Sequence, residues 1–348
     1  MIANRPLLAA LAGDPEIETL LADAAQVAAM VKFELALAQA EAEAGLIGVE
    51  AAAAITAGLA GFEPDWDDLA QGMARDGVVV PALVAQLRRR VAAPHAQDLH
   101  RGATSQDVID TALVLQLASV IAAFVARLTT MLDALDGLAD RHGRQPLMAH
   151  TRMQRALPYS VGAKLSTWMA PLRRHLAALQ AVRRSLLVIQ LGGPIGDRSS
   201  FGPHGETVAR ALARHLDLGL AEPWQSARDP LIGFASLLAL ISGTLGKIGA
   251  DVALLAQNEI GAVTLAGGGG SSSMAHKSNP VNAEVLVALA RYNAGLVGVL
   301  QQSMVHENER SGAAWTLEWL AFPPLVIAAG ASLRLGNLLL GQLSFPGS

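Results

Sequence analysis

Residues 105–142 read SQDVIDTALVLQLASVIAAFVARLTTMLDALDGLADRH, and this stretch decides the fold class. Large apolar side chains recur in it at every third or fourth position, namely at Ile109, Leu113, Leu117, Val120, Phe124, Leu128, Met131, Leu135 and Leu138. That spacing is typical of one face of an α-helix. The sequence therefore predicts a single helix from Ser105 to His142, about 57 Å long at roughly 1.5 Å per residue.

Further long helical segments follow this one. The pattern predicts helices over 158–188, 230–265, 280–306 and 315–343, the last kinked or begun at Pro323-Pro324. Shorter pieces over 14–45, 50–58 and 81–91 precede it. No alternating β-branched run of strand length occurs, so the predicted class is all-α. We place a boundary near Asp98, between an N-terminal helical domain (1–98) and a long-helix bundle (99–348).

The composition predicts a bundle completed by other copies of the chain. Of the 348 residues, 52% are hydrophobic and only 16% are charged, and the long segments are apolar on more than one face. Mean hydropathy is +0.36, but charged residues or prolines interrupt every apolar stretch, which argues against membrane insertion. The first residues lack the order of a signal peptide, so we expect a cytoplasmic protein.

Charge and residue usage exclude several functions. A net charge of −4 does not suit binding to nucleic-acid phosphates. The chain has no cysteine, and its nine histidines show no ligand spacing, so we predict no metal site. No glycine-rich turn follows a strand, so we predict no nucleotide cofactor.

The most informative loop is GGGGSSSMAHKSNP, residues 267–280. Its plain interpretation is a connector that ends in a helix with Asn279 as its cap and Pro280 in the first turn. A loop that closes over an anionic substrate would also use such hydroxyl groups, backbone N–H groups and a lysine. The functional interpretation is favoured because a connector has no need of His276 and Lys277.

Two segments lie at predicted helix starts. In HRGATSQD (100–107), Thr104 and Asp107 resemble a capping box and Ser105 is an alternative cap, yet the same groups can bind a carboxylate. In MAHTRMQRALP (148–158), a loop leading into a helix, arginines suit an anion but are equally typical of a solvated turn. A further segment, QLGGPIG (190–196), indicates by itself no more than a turn. The charge-dense HENERSGAAW (306–315) is at least as typical of a solvated turn as of a site.

The loop and the two helix-start segments together resemble the motifs of the fumarase/aspartase superfamily. Gly270 to Pro280 is similar to its signature loop G-S-S-x-M-x-x-K-x-N-P, and the helix-start segments follow its order over roughly residues 95–320. Within the superfamily, the chain is most similar to the cycloisomerases. That similarity rests on Gln190-Leu191-Gly192-Gly193, Glu309-Arg310, Trp315 and Glu318-Trp319.

The resemblance implies a long-helix bundle whose homotetramer has a 20-helix core, with active sites shared between subunits. It also implies an intramolecular lyase without a cofactor. A carboxylate of a small tricarboxylate substrate would add to a conjugated double bond and close a lactone. Alternatives are another superfamily lyase, such as an adenylosuccinate-lyase-like enzyme that eliminates from a dicarboxylate, or a helical assembly without activity.

The resemblance also implies roles for individual residues. Ser271 would carry the carbon-bound proton, Lys277 and Asn279 would hold the enediolate charge, and His100 is a second acid/base candidate with a capping or structural alternative. The expected substrate-binding residues are Thr104, Ser105, Thr151, Arg152, Gln154, Arg155, Ser272, Met274 and Arg310.

The chain departs from the superfamily pattern at several points. Arg152 stands where T-H-x-Q has histidine, which leaves the second acid/base group unassigned. The loop has Ala275 where proline is usual and Ser278 where a basic residue is common. We also expect the small C-terminal helical domain of relatives to be absent.

Overall fold

The computed structural model describes residues 5–270, 272–274 and 277–346 of the chain. Helices dominate this part, and the all-α prediction is confirmed. Its α-helices are α1 (Pro6–Ala12), α2 (Pro15–Leu20), α3 (Asp23–Glu43), α4 (Val49–Leu59), α5 (Trp66–Asp76), α6 (Val80–Arg90), α7 (Ser105–His142), α8 (Val161–Leu186), α9 (Gly205–Leu216), α10 (Asp229–Leu255), α11 (Val281–Gln302) and α12 (Gly312–Gln342).

Helix α7 has the bounds that the apolar stripe predicts. Every stripe residue is buried except Leu113, which is partly buried. Thr104 is the N-cap, and its backbone N–H donates to the Asp107 carboxylate at 3.0 Å, as in a capping box. The stripe and this cap together explain why the helix starts where it does and stays regular along its length.

Two apolar cores hold the helices together. The first lies between α7, α8, α10, α11 and α12, with Trp168 and Phe234 among its largest fully buried side chains. The second joins α3, α4 and α6 to α9 and to the first turns of α7. Helix α7 therefore belongs to both cores. The second core takes residues from both sides of residue 98, and the division at that residue stays a prediction.

Two small sheets are present where the sequence indicated loops. The strands β1 (Pro146–Thr151) and β2 (Gln154–Ser160) form an antiparallel hairpin, and β3 (Thr264–Leu265) pairs with β4 (Leu343–Ser344). The expectation of a plain loop before α8 is therefore wrong. Backbone hydrogen bonds make this hairpin, and its largely exposed residues need no apolar alternation.

Other helix predictions need correction. Helix α12 begins at Gly312 and continues through both prolines, so it agrees with the predicted 315–343 segment, and the alternative of a start at Pro323-Pro324 is wrong. The Ser311 hydroxyl sets the actual start by accepting the Ala314 N–H at 3.1 Å. The predicted 14–45 helix is divided into α2 and α3, and α5 and α9 were not predicted.

Within the described residues, four helices are long and apolar enough to cross a membrane by length and composition alone: α7, α10, α11 and α12. In the most apolar 18-residue stretch of each helix, the buried share is 61%, 56%, 33% and 67%, in that order. Most of the apolar surface of α7 and α12 therefore serves the core of this chain. Much of α11 stays uncovered by it.

Candidate active site

The predicted site regions fall into two groups at opposite ends of α7. His100–Asp107 lies at its start, whereas the hairpin follows its end. The loop that begins at Gly267 joins the hairpin group, because the Ala266 N–H donates to the Gln342 carbonyl at 3.0 Å. The ring of Phe345 then lies 5.9 Å from that of His142, at the end of α7.

We name these groups the packed end and the hairpin end. The packed end comprises residues 31–41, 98–111, 189–198, 224–228 and 306–318. The hairpin end comprises residues 142–164, 247–270, 272–274, 277–280, 282–284 and 342–346. Since α7 has 38 residues, the two ends are separated by about 57 Å within one chain.

At the packed end, the Asp107 carboxylate joins two of the predicted segments. It accepts hydrogen bonds from the backbone N–H groups of Gly192 (2.8 Å) and Gly193 (2.9 Å) and from the Gln190 side-chain amide (3.1 Å), besides that of Thr104. Burial raises the pKa of Asp107, and these four donors oppose the rise. Asp107 thus fixes the 190–196 turn against the start of α7.

Glycine is required in that turn. Gly193 has a φ of +70°, and a Cβ there would collide with the Ser200 hydroxyl. The 190–196 segment, whose sequence alone indicates only a turn, therefore has a specific backbone conformation at the packed end. Thr104 and Ser105 lie beside it and are both half-buried.

His100 is tied to a carboxylate that the sequence did not single out. Its Nδ1 lies 2.6 Å from Oε1 of Glu34 on α3, whose side chain is completely buried. Burial lowers the pKa of His100, but the charge and hydrogen bond of Glu34 outweigh this effect, and the pKa is raised. His100 also has a left-handed backbone (φ 61°).

Arg310, predicted to bind substrate, is engaged within the packed end. Its Nη1 donates to the Gln106 side chain at 2.6 Å and its Nε to the Pro194 carbonyl at 3.1 Å, while Nη2 donates to the Gly193 carbonyl. These bonds join the segment 306–315 to the 190–196 turn. Its contact with substrate stays a prediction.

A buried ion cluster centred on Arg228 completes the packed end. Arg228 is 2% exposed, and it lies 2.6 Å from Asp110 and 2.6 Å from Glu318, which are equally buried. The Trp315 indole N–H donates to Asp110 at 3.3 Å, and His306 lies 3.4 Å from Glu318. Sequence reasoning missed Arg228, because its partners are 118 and 90 residues away.

At the hairpin end, the predicted anion-binding residues lie on an exposed turn. Thr151 pairs with Gln154, so Arg152 and Met153 form a two-residue hairpin loop, with φ values of 49° and 65°. Positive φ at both central residues is what a type I′ turn needs. Neither residue is glycine, and the left-handed conformation costs each about 1–2 kcal/mol. Arg155 is also exposed.

The base of the glycine-serine loop is closed by backbone pairing. The N–H of Gly269 donates to the Asn279 carbonyl (2.9 Å), and the N–H of Asn279 donates to the Gly269 carbonyl (2.8 Å). The Asn279 side chain donates to the Gly270 carbonyl at 3.3 Å. Asn279 therefore does not cap α11 as predicted; the N-cap position is Pro280.

The remaining loop predictions concern exposed residues or lie outside the described ones. Ser272, Met274 and Lys277 are exposed, and the Lys277 N–H donates to the Met274 carbonyl at 3.0 Å. Lys277 forms no ion pair with any described residue. Ser271 and His276 lie outside the described residues.

A surface cleft of about 440 Å³ lies beneath the hairpin. Its lining includes His150 and Arg155 from the strands, Gly261 from the turn after α10, and Phe345. The predicted Arg155 therefore borders a cavity of small-molecule size.

A cation cluster beside the hairpin was not predicted. On the first turn of α8, Lys164 lies 2.7 Å from Asp251 of α10. The Asp251 carboxylate also pairs with Lys247 and accepts a hydrogen bond from the Trp168 indole N–H at 2.7 Å. Burial lowers the pKa of Lys164, and Asp251 partly offsets this. In the part of the chain that the structure describes, no group of three or more carboxylates and histidines could hold a metal ion.

Comparison with known proteins identifies the class. The profile of a lyase family matches residues 18–294, and the chain belongs to this family. The resemblance to the fumarase/aspartase superfamily is thereby confirmed.

Individual relatives refine this class. The chain is 41% identical to 3-carboxy-cis,cis-muconate cycloisomerase of Pseudomonas aeruginosa, with 93% of this chain and 72% of the relative covered. It is also 34% identical to N-acetyl-S-(2-succino)cysteine lyase of Dickeya dadantii (92% and 72% covered). The crystal structure of the 3-carboxy-cis,cis-muconate lactonizing enzyme from Pseudomonas putida superposes with a TM-score of 0.91 at 36% identity, with 98% of this chain and 78% of that one covered.

Proposed function

We propose that this protein is a cycloisomerase that converts 3-carboxy-cis,cis-muconate into 4-carboxymuconolactone. The observation that carries the proposal is the similarity to two proteins named for this substrate, along almost the whole of this chain. Arginine at position 152, in place of the histidine of other superfamily lyases, fits a substrate with an additional carboxylate.

The reaction balances without an oxidant, a reductant or a cofactor. A carboxylate oxygen of the substrate forms a bond to the β carbon of a double bond, and the π electron pair moves to the α carbon. The neighbouring carboxylate delocalises this pair as an enediolate. A proton then adds to the α carbon and completes the lactone.

The residues of this chain supply charge and a proton. Ser271 delivers the proton to the α carbon, and Lys277 and Asn279 stabilise the enediolate, where the negative charge is greatest. A serine hydroxyl exchanges protons readily only if a nearby cation stabilises its alkoxide, which is a further reason for Lys277.

Two groups of residues bind the carboxylates. Thr104 and Ser105 offer hydroxyl and N–H groups at the start of α7, and Arg152 and Arg155 offer charge on the hairpin. Thr151 and Gln154 complete this set, and Ser272, Met274 and Arg310 are the other proposed substrate-binding residues.

Assembly follows from the length of α7. The packed end and the hairpin end of one chain are about 57 Å apart, so a single copy does not bring Thr104 and Arg152 to one small substrate. A homotetramer places the packed end of one copy against the hairpin end of others. Exposed leucines on long helices support this assembly, namely Leu240 and Leu254 on α10 and Leu320 and Leu338 on α12.

Location and partners follow from the same reasoning. A tetramer buries the apolar faces that α10, α11 and α12 leave uncovered, so the chain works in the cytoplasm without a membrane. Its partners are a small tricarboxylate and copies of itself. The net charge of −4 does not favour nucleic acid.

The test is an ultraviolet assay with 3-carboxy-cis,cis-muconate, whose diene absorbance disappears on lactonisation. We expect turnover that survives exhaustive chelation, together with a particle of about four times 36.2 kDa by light scattering. An inert tetramer, or a stable monomer with full activity, would contradict the proposal. A second candidate, β-elimination from a thioether of succinate, is favoured by the Dickeya dadantii relative and is assayed in parallel by fumarate release.

A further inference from the structure

We propose that Glu34 is a positioning residue for His100: its carboxylate holds the imidazole in one orientation and as a cation, with Nε2 left to donate a hydrogen bond to a substrate carboxylate. This inference rests on the proposed function, with His100, the acid/base candidate of the sequence analysis, placed beside the substrate near Thr104 and Ser105. Sequence patterns do not reveal the pair, because Glu34 precedes His100 by 66 residues within a helix.

The imidazole of His100 is held through one of its two nitrogens. The Nδ1 of His100 lies 2.6 Å from Oε1 of Glu34, slightly shorter than the roughly 2.7–2.9 Å of most charge-assisted N–H···O hydrogen bonds. The Glu34 side chain is 0% exposed, whereas that of His100 is 15% exposed. No described residue forms a hydrogen bond to Nε2. The ring is thus fixed through one nitrogen, and the other is available.

The Glu34 carboxylate has few partners of its own. Its second oxygen, Oε2, is buried and has no hydrogen-bond partner among the described residues. A buried carboxylate with so few partners is stable as an ion only beside a cation. His100 is the hydrogen-bond partner that the structure gives it. The carboxylate and the imidazolium therefore stabilise each other.

The other charged groups around His100 do not remove the mutual stabilisation of Glu34 and His100. Arg88 on α6 opposes a positive charge on His100, and Asp107 on α7 favours it. On α3, the fully buried Glu41 faces the same region, with Asp98 and Arg101 near it. Burial and the charge of Glu34 raise the pKa of Glu41 to about 9, so Glu41 is uncharged at neutral pH.

The backbone of His100 has an unusual conformation. Its φ of 61° is left-handed, which non-glycine residues adopt rarely, and strained residues of this kind cluster at active sites. The preceding carbonyl, of Leu99, accepts a hydrogen bond from Arg88 Nη2 at 2.9 Å. Glu34 and Arg88 together hold the residue in this conformation.

The experiment compares Glu34→Gln with Glu41→Gln, a matched change of a buried acid on the same helix. The His100 resonance of the ¹³C-histidine-labelled protein is assigned with His100→Asn and then titrated. In Glu34→Gln we expect His100 to lose its proton at lower pH than in the wild type, because the neighbouring negative charge is gone. Glu41→Gln should leave the titration unchanged, because it replaces an uncharged group.

Kinetics then separate positioning from packing. If His100 acts as a cation, activity falls as pH rises through its pKa, so in Glu34→Gln the fall moves to lower pH. At pH 8 we expect kcat/KM to be about tenfold lower. Glu34→Asp, which keeps the charge but shortens the side chain, should recover part of the loss.

Three results would overturn the inference. The first is a wild-type His100 that titrates at or below the ordinary histidine pKa, which is measurable even if no Glu34 variant folds. The second is an unchanged His100 titration in Glu34→Gln. The third is a lowered His100 pKa with an unchanged pH profile of activity, which would leave the pair as structural only. If the wild type is inert towards the muconate, the proposed function fails, whereas the titrations still decide the Glu34–His100 pair.

Discussion

The packed end and the hairpin end use charge in opposite ways. At the packed end, Arg228 and Asp107 are buried, and their polar atoms are satisfied by other parts of the same chain. At the hairpin end, Arg152, Arg155 and Lys277 are exposed. Substitutions of buried charged residues at the packed end should therefore lower the free energy of unfolding, whereas substitutions of exposed ones at the hairpin end should lower activity.

The largest expected effect is at Arg228. Arg228→Met leaves two buried carboxylates without their cation, so we expect the free energy of unfolding to fall by about 3–5 kcal/mol. Urea denaturation measures this loss. Arg155→Met, the same change at the hairpin end, is the control and should alter stability by less than about 0.5 kcal/mol. Equal losses in both variants would remove the distinction between the ends.

The opposite outcome is expected at Lys277. Lys277→Ala should lower kcat by a factor of about 10² to 10³, because the proposed mechanism uses its positive charge where negative charge develops. Its thermal unfolding should match the wild type, since the side chain is exposed. Ser278→Ala, next to it on the loop, should keep most of the activity. A large loss of stability in Lys277→Ala would contradict the comparison.

The packed end should also make stability depend on pH. Glu41 has a pKa of about 9 in the folded chain against an ordinary value of 4.5, so between these values the folded chain keeps a proton that the unfolded chain loses. Its contribution is fully present below pH 4.5 and is lost as pH rises, by about 1.4 kcal/mol per pH unit.

Glu41→Gln removes this dependence. We expect its stability relative to the wild type to increase from pH 5 to pH 9, as measured by urea unfolding at several pH values. Glu284→Gln, the same substitution at an exposed carboxylate of the hairpin end, is measured alongside it as the control. If the difference in free energy of unfolding between Glu41→Gln and the wild type did not change with pH, Glu41 would be ionised in the folded chain.

The smallest effect concerns the hairpin turn. Met153 is 75% exposed and left-handed, so Met153→Gly relieves backbone strain without loss of packing. We expect the variant to be more stable by up to about 1 kcal/mol. Met153→Ala keeps the strain and should show no gain. A destabilised glycine variant would mean that the side chain is needed, for instance in contact with another copy.

Sequence reasoning succeeded where the information is local. The bounds of α7 and its cap at Thr104 follow from apolar spacing and from a short motif. The hairpin was missed because its turn uses Arg152 and Met153, which local preferences would not place in left-handed conformations. The strands around it carry no apolar alternation that would have indicated them.

The contacts that build the packed end were beyond sequence reasoning. Arg228 meets Asp110 and Glu318, and Glu34 meets His100, across 66 to 118 residues of chain. No spacing rule links such positions, because only the folded path of the helices brings them together. The residues of the proposed site were named from motifs, and their roles stay predictions.

The unbroken course of α7 constrains how such a chain can change its length. Deleting one residue from its middle would turn everything beyond that point by about 100° and shorten the helix by ~1.5 Å. The apolar stripe would then lose phase with both cores, and the hairpin would swing away from its position. Only an insertion or deletion near a whole number of turns, such as seven residues, would nearly keep the phase, and even that would move the hairpin by roughly 10 Å. Loops can lengthen freely, but α7 cannot.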